Sequence, residues 1–128
     1  MKNNRKFGAI GEDIACAYLE KQGYTVIERN LHFGHIETDV ICEDETHVLF
    51  VEVKTRTDAV FSLKYGRPAS AVTKTKLANM LECARKYIYE RQISKKPRID
   101  VIEVYLSERD GVITLSEKGI NHIKNVTG

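Results

Sequence analysis

The run HVLFVEVK, residues 47–54, constrains this chain more than any other stretch: apolar over most of its length, it ends in two charges two residues apart. Side chains of a strand alternate between its faces, so Val48, Phe50, Glu52 and Lys54 share one face while Leu49, Val51 and Val53 share the other. Glu52 and Lys54 therefore stand together at one strand end, on the side that Val48 and Phe50 bury further back. A charge pair in that position is half-desolvated, which is costly unless a partner or an ion satisfies it.

The preceding segment offers a third charge. Ile36 to Cys42 reads as a strand, and the polar run Glu43-Asp44-Glu45-Thr46 turns the chain into the strand His47 to Lys54. Pairing the two strands by equal distance from a turn at Asp44-Glu45 sets Asp39 opposite Val51, and so near Glu52 along the ladder. Sequence leaves register and face open.

Around this hairpin the chain reads as one mixed α/β domain over residues 1–128. Phe7 to Gln22 is a helix closed by Gly23, with one apolar stripe of Phe7, Ile10, Ile14 and Tyr18. Gly8, Ala15, Cys16 and Leu19 make a second, small-residue face that carries Glu12, so the helix is expected to be buried on two sides. Tyr24 to Asn30 is a strand, and Thr57 to Ala71, with Gly66 and Pro68, a loop. Thr73 can cap a helix whose apolar positions are Leu77, Met80, Leu81, Ala84 and Ile88. Lys96-Pro97 breaks the chain, Arg98 to Leu106 is a strand, and Arg109-Asp110-Gly111 turns into a last strand from Val112 to Leu115. The order is helix, three strands, helix, two strands, with a largely antiparallel start.

Composition narrows the setting. A chain of 128 residues, 42% apolar and 30% charged, builds a single core. A net charge of +2 means that a nucleic-acid surface would need local basic clustering. Cys16, Cys42 and Cys83 are odd in number and widely spaced, which argues against a disulfide framework or a structural zinc site and fits a reduced, cytoplasmic setting. The basic start has no long apolar run of a secretory signal, and no stretch reaches membrane-spanning length.

Two carboxylates and a lysine converging at a sheet edge suit metal-assisted phosphodiester hydrolysis. Hard oxygen ligands hold Mg²⁺, which keeps waters and accepts phosphate oxygens. An ammonium can position the attacking water or stabilise transition-state charge, and the Val53 carbonyl is a further oxygen ligand in an open strand end. On spacing alone an isolated E-x-K is usually a surface ion pair, and a lone Asp39 a strand-end carboxylate. The pattern Asp-(12 residues)-Glu-x-Lys on adjacent strands, with an apolar run before the Glu, shifts that balance. For Glu12 the plainer reading is a carboxylate favoured by the helix dipole.

Beyond these, Lys54, Arg56, Lys64, Arg67, Lys74 and Lys76 cluster after the site and suit a phosphate backbone, with Tyr65 among them for stacking; a solvated loop and helix start is the competing reading. His32, His35, His47 and His122 lack paired metal-ligand spacing, no Gly-rich phosphate loop is present, and no signature surrounds a cysteine nucleophile.

Gly11-Glu12, Glu37-Thr38-Asp39, Val51-Glu52-Val53-Lys54-Thr55-Arg56, Pro68-Ala69-Ser70-Ala71-Val72, Arg98 to Val104 and Ile120-Asn121-His122-Ile123 together resemble the YraN-type family of uncharacterised bacterial proteins, in order and over nearly the whole chain. That family is similar to the restriction-endonuclease-like superfamily, with its PD-(D/E)-x-K site, and closest to archaeal Holliday-junction resolvases. The resemblance implies Asp39 and Glu52 as ligands of Mg²⁺ or Mn²⁺, Lys54 as catalytic lysine and Glu12 as an auxiliary acid. Where the family usually has Gly-Glu-Ile-Asp, this chain has Ile36-Glu37-Thr38-Asp39: both carboxylates remain, but the glycine is missing and Thr replaces an apolar residue. The expectation is a restriction-endonuclease-like domain cutting structured or branched DNA as a homodimer. The alternatives are a non-catalytic nucleic-acid-binding module and a partner-binding protein whose acidic cluster is an ion-pair network.

Overall fold

The computed structural model describes residues 4–57 and 72–127. Helix α1 (Asn4–Lys21) leads into strands β1 (Thr25–Phe33), β2 (Ile36–Glu43) and β3 (His47–Thr57). Helix α2 (Lys74–Arg91) follows, then β4 (Lys96–Arg109) and β5 (Val112–Ile123). The five strands form one mixed sheet in sequential order, antiparallel except for the β3–β4 pair. Adjacent parallel strands need a crossover, and α2 lies within it.

Strand alternation divides the core in two. Val40, Cys42, Leu49, Val51, Ile102, Val104 and Leu106 face α1, packing on Phe7, Ala15, Cys16 and Leu19. Ile41, Val48, Phe50 and Ile99 face α2, packing on Met80, Ala84 and Tyr87. Both helices thus bury one side against opposite faces of the same sheet. The expected two-sided burial of α1 is corrected: Ile10, Ile14 and Tyr18 line the flank of the single α1–sheet core, rather than meeting a second layer.

The close approach of α1 also lies elsewhere than expected. Gly8 has open space where its Cβ would be, whereas a Cβ on Gly11 would stand 2.0 Å from the Thr55 Oγ1 and 3.1 Å from two Thr55 carbons. Gly11 is where the helix touches β3, one residue before Glu12.

Several strand ends run beyond their sequence-derived limits. β1 continues to Phe33, past Asn30, which takes a positive φ of 54°. β4 begins at Lys96 and absorbs Pro97. Pro97 pairs only with β3, because the β5 ladder starts at Val101, so one flank is open where a missing N–H costs nothing. β5 extends to Ile123, crossing the polar stretch around Gly119, whose φ of 68° suits glycine.

A buried polar network ties β4 to β5 and α1. The Asp100 carboxylate is fully buried and accepts two hydrogen bonds from Arg98, at 2.9 and 2.8 Å, and one from the Asn125 amide at 3.0 Å. His122 Nε2 lies 2.7 Å from Asp100, its Nδ1 lies 2.9 Å from the Tyr18 hydroxyl, and Arg98 also donates to Tyr24 at 3.0 Å. Burial pushes the Asp100 carboxyl up, but the bonds from His122, Arg98 and the Asn125 amide more than offset this and hold it at about 2.

The close approach makes Gly11→Ala destabilising by roughly 1–3 kcal/mol, the usual range for overpacking. Thermal melts of that variant, of Thr55→Ala and of the double variant should show the loss recovered in part when Thr55 is trimmed. The Asp100 carboxyl lies below its unfolded value of about 4, so its contribution of about 2 kcal/mol is complete above pH ~4 and lost as pH falls toward 2. Urea melts of wild type and Asp100→Asn should converge as pH is lowered through that range, the variant being weaker by about 3 kcal/mol at neutral pH.

Candidate functional site

The site begins where the β2–β3 ladder stops. Its last pair is Val40 with Val51, one residue out of step with the register expected from the turn. Beyond it the Val53 amide donates to Asp39 Oδ2 at 2.8 Å. Asp39 thus fills the position of a ladder acceptor with its side chain. An antiparallel residue presents its N–H and C=O to the same neighbour, which sets the Val53 carbonyl on the same side as Asp39.

Glu52 lies next to this opening, on the α2 face with Val48 and Phe50, and is 6% exposed. Lys54 Nζ stands 3.4 Å from its Oε2, and Lys76 Nζ, from the first turns of α2, stands 3.4 Å from its Oε1. Glu52 Oε1 is buried and makes no hydrogen bond, so one oxygen of this carboxylate has charge beside it but no directed donor. Thr73 sets the start of α2: its hydroxyl accepts from the Lys76 amide at 3.0 Å. Lys76, read from sequence as a phosphate-backbone residue, therefore lies inside the carboxylate cluster.

The Glu52 charge acts on Asp39. Burial, then the Glu52 charge and more weakly the Glu12 charge, push the Asp39 carboxyl up to about 7, against the pull of the Val53 amide and of Lys76. The Glu52 charge acts on Asp39 more strongly than the Glu12 charge of α1. Glu12 itself is not in open solvent: its Oε1 is 3.4 Å from Arg29 and 3.3 Å from Asn30 Nδ2, both on β1, and its charge is felt at Asp39.

Other expected site residues fall into three groups. Arg56 is partly buried on β3 beyond Lys54. Lys74 is exposed at the start of α2. Lys64, Arg67 and Tyr65 lie outside the described residues, as does most of the expected loop. Among the described residues no three Asp, Glu, His or Cys side chains are grouped closely enough to hold a metal ion by themselves. The three thiols are buried and unbonded to one another; burial raises Cys16 and Cys83 and pushes Cys42 up to about 12, which removes them as nucleophiles at neutral pH.

One charged neighbour escaped the sequence reading. Glu103 on β4 is fully buried and pairs with Lys54 in the parallel ladder. It sits inside the run Ile99–Leu106, where eight consecutive buried residues hide a charge from any periodicity argument.

The family model for the uncharacterised protein family UPF0102 matches residues 11–104. A UPF0102 protein of Syntrophomonas wolfei is 35% identical over 123 residues, covering 95% of this chain and 97% of the relative. One from Caldanaerobacter subterraneus is 38% identical over 124 residues, 96% and 95% of the two chains, and one from Chloroherpeton thalassium is 39% identical over 109 residues, 84% and 81%.

Burial raises Asp39 most and the Glu52 charge next, so removing that charge must lower it. Carboxyl-carbon NMR titration should show Asp39 near pH 7 in the wild type and lower in Glu52→Gln. An unchanged titration would separate the two carboxylates.

Proposed function

The chain belongs to the uncharacterised protein family UPF0102, and on that premise we propose that it is a divalent-metal-dependent endonuclease acting on branched or structured DNA. The observation that carries the reading is the pair Asp39 and Glu52 at the open end of the β2–β3 ladder. Glu52 is buried and Asp39 partly buried, the two carboxylates repel each other, and Glu52 keeps one oxygen without a donor. A cation satisfies both demands at once, which neither of the flanking lysines does in hydrogen-bonding geometry.

Asp39, Glu52 and the Val53 carbonyl would hold Mg²⁺ or Mn²⁺, with water and phosphate oxygens completing the shell; two protein carboxylates are an ordinary number for Mg²⁺. When bound, the ion supplies Lewis-acid charge that activates water and offsets charge on the phosphate. The chain's own groups do the rest. Lys54, released from Glu52, faces the scissile phosphate and stabilises charge in the transition state. Lys76 holds a phosphate oxygen at the start of α2, where the helix dipole also favours an anion. Arg56 and Lys74 extend a basic track along the backbone on either side. Glu12, set by Arg29 and Asn30, adds negative charge to the site and strengthens cation binding. A homodimer follows by analogy with the resolvases, since two symmetric cuts need two sites. Among the described residues no helix is long and apolar enough to cross a membrane, and the reading places the protein in the cytoplasm with DNA.

Purified protein should cut four-way or flapped DNA with Mg²⁺ or Mn²⁺ and not with EDTA. Lys54→Ala should reduce cleavage more than 100-fold, on the order of 3 kcal/mol, with DNA affinity nearly kept. Binding without cleavage under every divalent ion would favour a non-catalytic nucleic-acid module. Neither binding nor cleavage would leave Glu52, Lys54 and Lys76 as an ion-pair network.

A further inference from the structure

Lys54 is paired with a carboxylate that the proposed reaction requires for another purpose. In this structure its ammonium sits 3.4 Å from Glu52, which Lys76 also neutralises. On the other side of Lys54, its ladder partner on β4 is Glu103. Partners in a parallel ladder lie about 4.8 Å apart and point to the same face, well within the reach of a lysine side chain. Glu103 is fully buried, accepts a 2.7 Å bond at Oε1 from Asn121 Nδ2 on β5, and leaves Oε2 with no partner at all.

A buried carboxylate oxygen without a donor is unfavourable, and a functional role is one recognised reason for keeping it. We propose that Glu103 is the positioning residue for Lys54: when a divalent ion engages Glu52, Lys54 exchanges Glu52 for the free oxygen of Glu103. The inference rests on the metal-dependent reading above. The exchange keeps each charge compensated, since the ion takes over Glu52 and Lys54 neutralises Glu103. It also fixes the lysine from β4, a central strand, instead of leaving it to a ligand of the ion. Asn121 holds the other oxygen and so sets which way Glu103 turns.

The test follows the side chains with and without Mg²⁺ alone. Mg²⁺ should shift the Glu103 carboxyl carbon in the NMR spectrum of the wild type and leave it in place in Lys54→Ala, while Asp39 and Glu52 respond in both. Glu103→Gln, which keeps the hydrogen bond to Asn121 but not the charge, should bind Mg²⁺ within about 2-fold of wild type and lower kcat roughly 10- to 100-fold with KM unchanged. Glu103→Asp should recover part of that rate. A Glu103 signal indifferent to Mg²⁺, or Glu103→Gln with wild-type kcat, overturns the inference while metal binding and cleavage stand. If Asp39 and Glu52 themselves ignore Mg²⁺, the metal-dependent reading fails, and the role of Glu103 with it. Should Glu103→Gln not fold, the wild-type and Lys54→Ala spectra still decide the matter.

Discussion

The hydrogen bond from the Val53 amide to the Asp39 carboxylate is the constraint on which the rest of the site depends. A strand amide inside a sheet must be paired, and beyond Val40–Val51 the backbone of β2 no longer does so. Asp39 supplies the acceptor from its side chain. This fixes a carboxylate beside Glu52, although two such charges raise each other's cost. The raised Asp39 carboxyl reflects burial first and that conflict second, and the two lysines on Glu52 are its partial relief.

Everything else brings groups to that opening from two directions. On one face, Gly11 lets α1 lie against Thr55, and the next residue, Glu12, is turned toward β1 and held by Arg29 and Asn30. On the other, the Thr73 cap starts α2 so that Lys76 reaches Glu52 within its first turns. The Asp100 network lies apart from this site, joining β4, β5 and α1, and explains why β5 stays paired as far as Ile123.

Much of this was legible in the sequence, for identifiable reasons. Alternation in residues 47–54 placed Glu52 and Lys54 on one face because strand geometry leaves no other choice. The element order followed from turn residues and helical spacing. The β2–β3 register came out one residue off, since counting from the turn cannot anticipate that the Asp44 side chain accepts from both the Thr46 and His47 amides and shapes the turn itself. The sequence put Gly8 on the small-residue face and left Gly11 out of it, and only the position of Thr55 shows that the close approach falls at Gly11. The far half of β5 was invisible because its polar run and Gly119 carry the signs of a strand end. Glu103 was hidden for the opposite reason, as a charge inside an unbroken run of eight buried residues that also holds Asp100.

The central claim is that Asp39 and Glu52 together form a cation site, and the most direct measurement is a crystal of the protein soaked in Mn²⁺, with anomalous diffraction to locate the ion. The account predicts one dominant peak between the Asp39 and Glu52 carboxylates, near the Val53 carbonyl, absent in Asp39→Asn. Fully ordered Asp39 and Glu52 with no peak between them, and Lys54 and Lys76 still on Glu52, would contradict it.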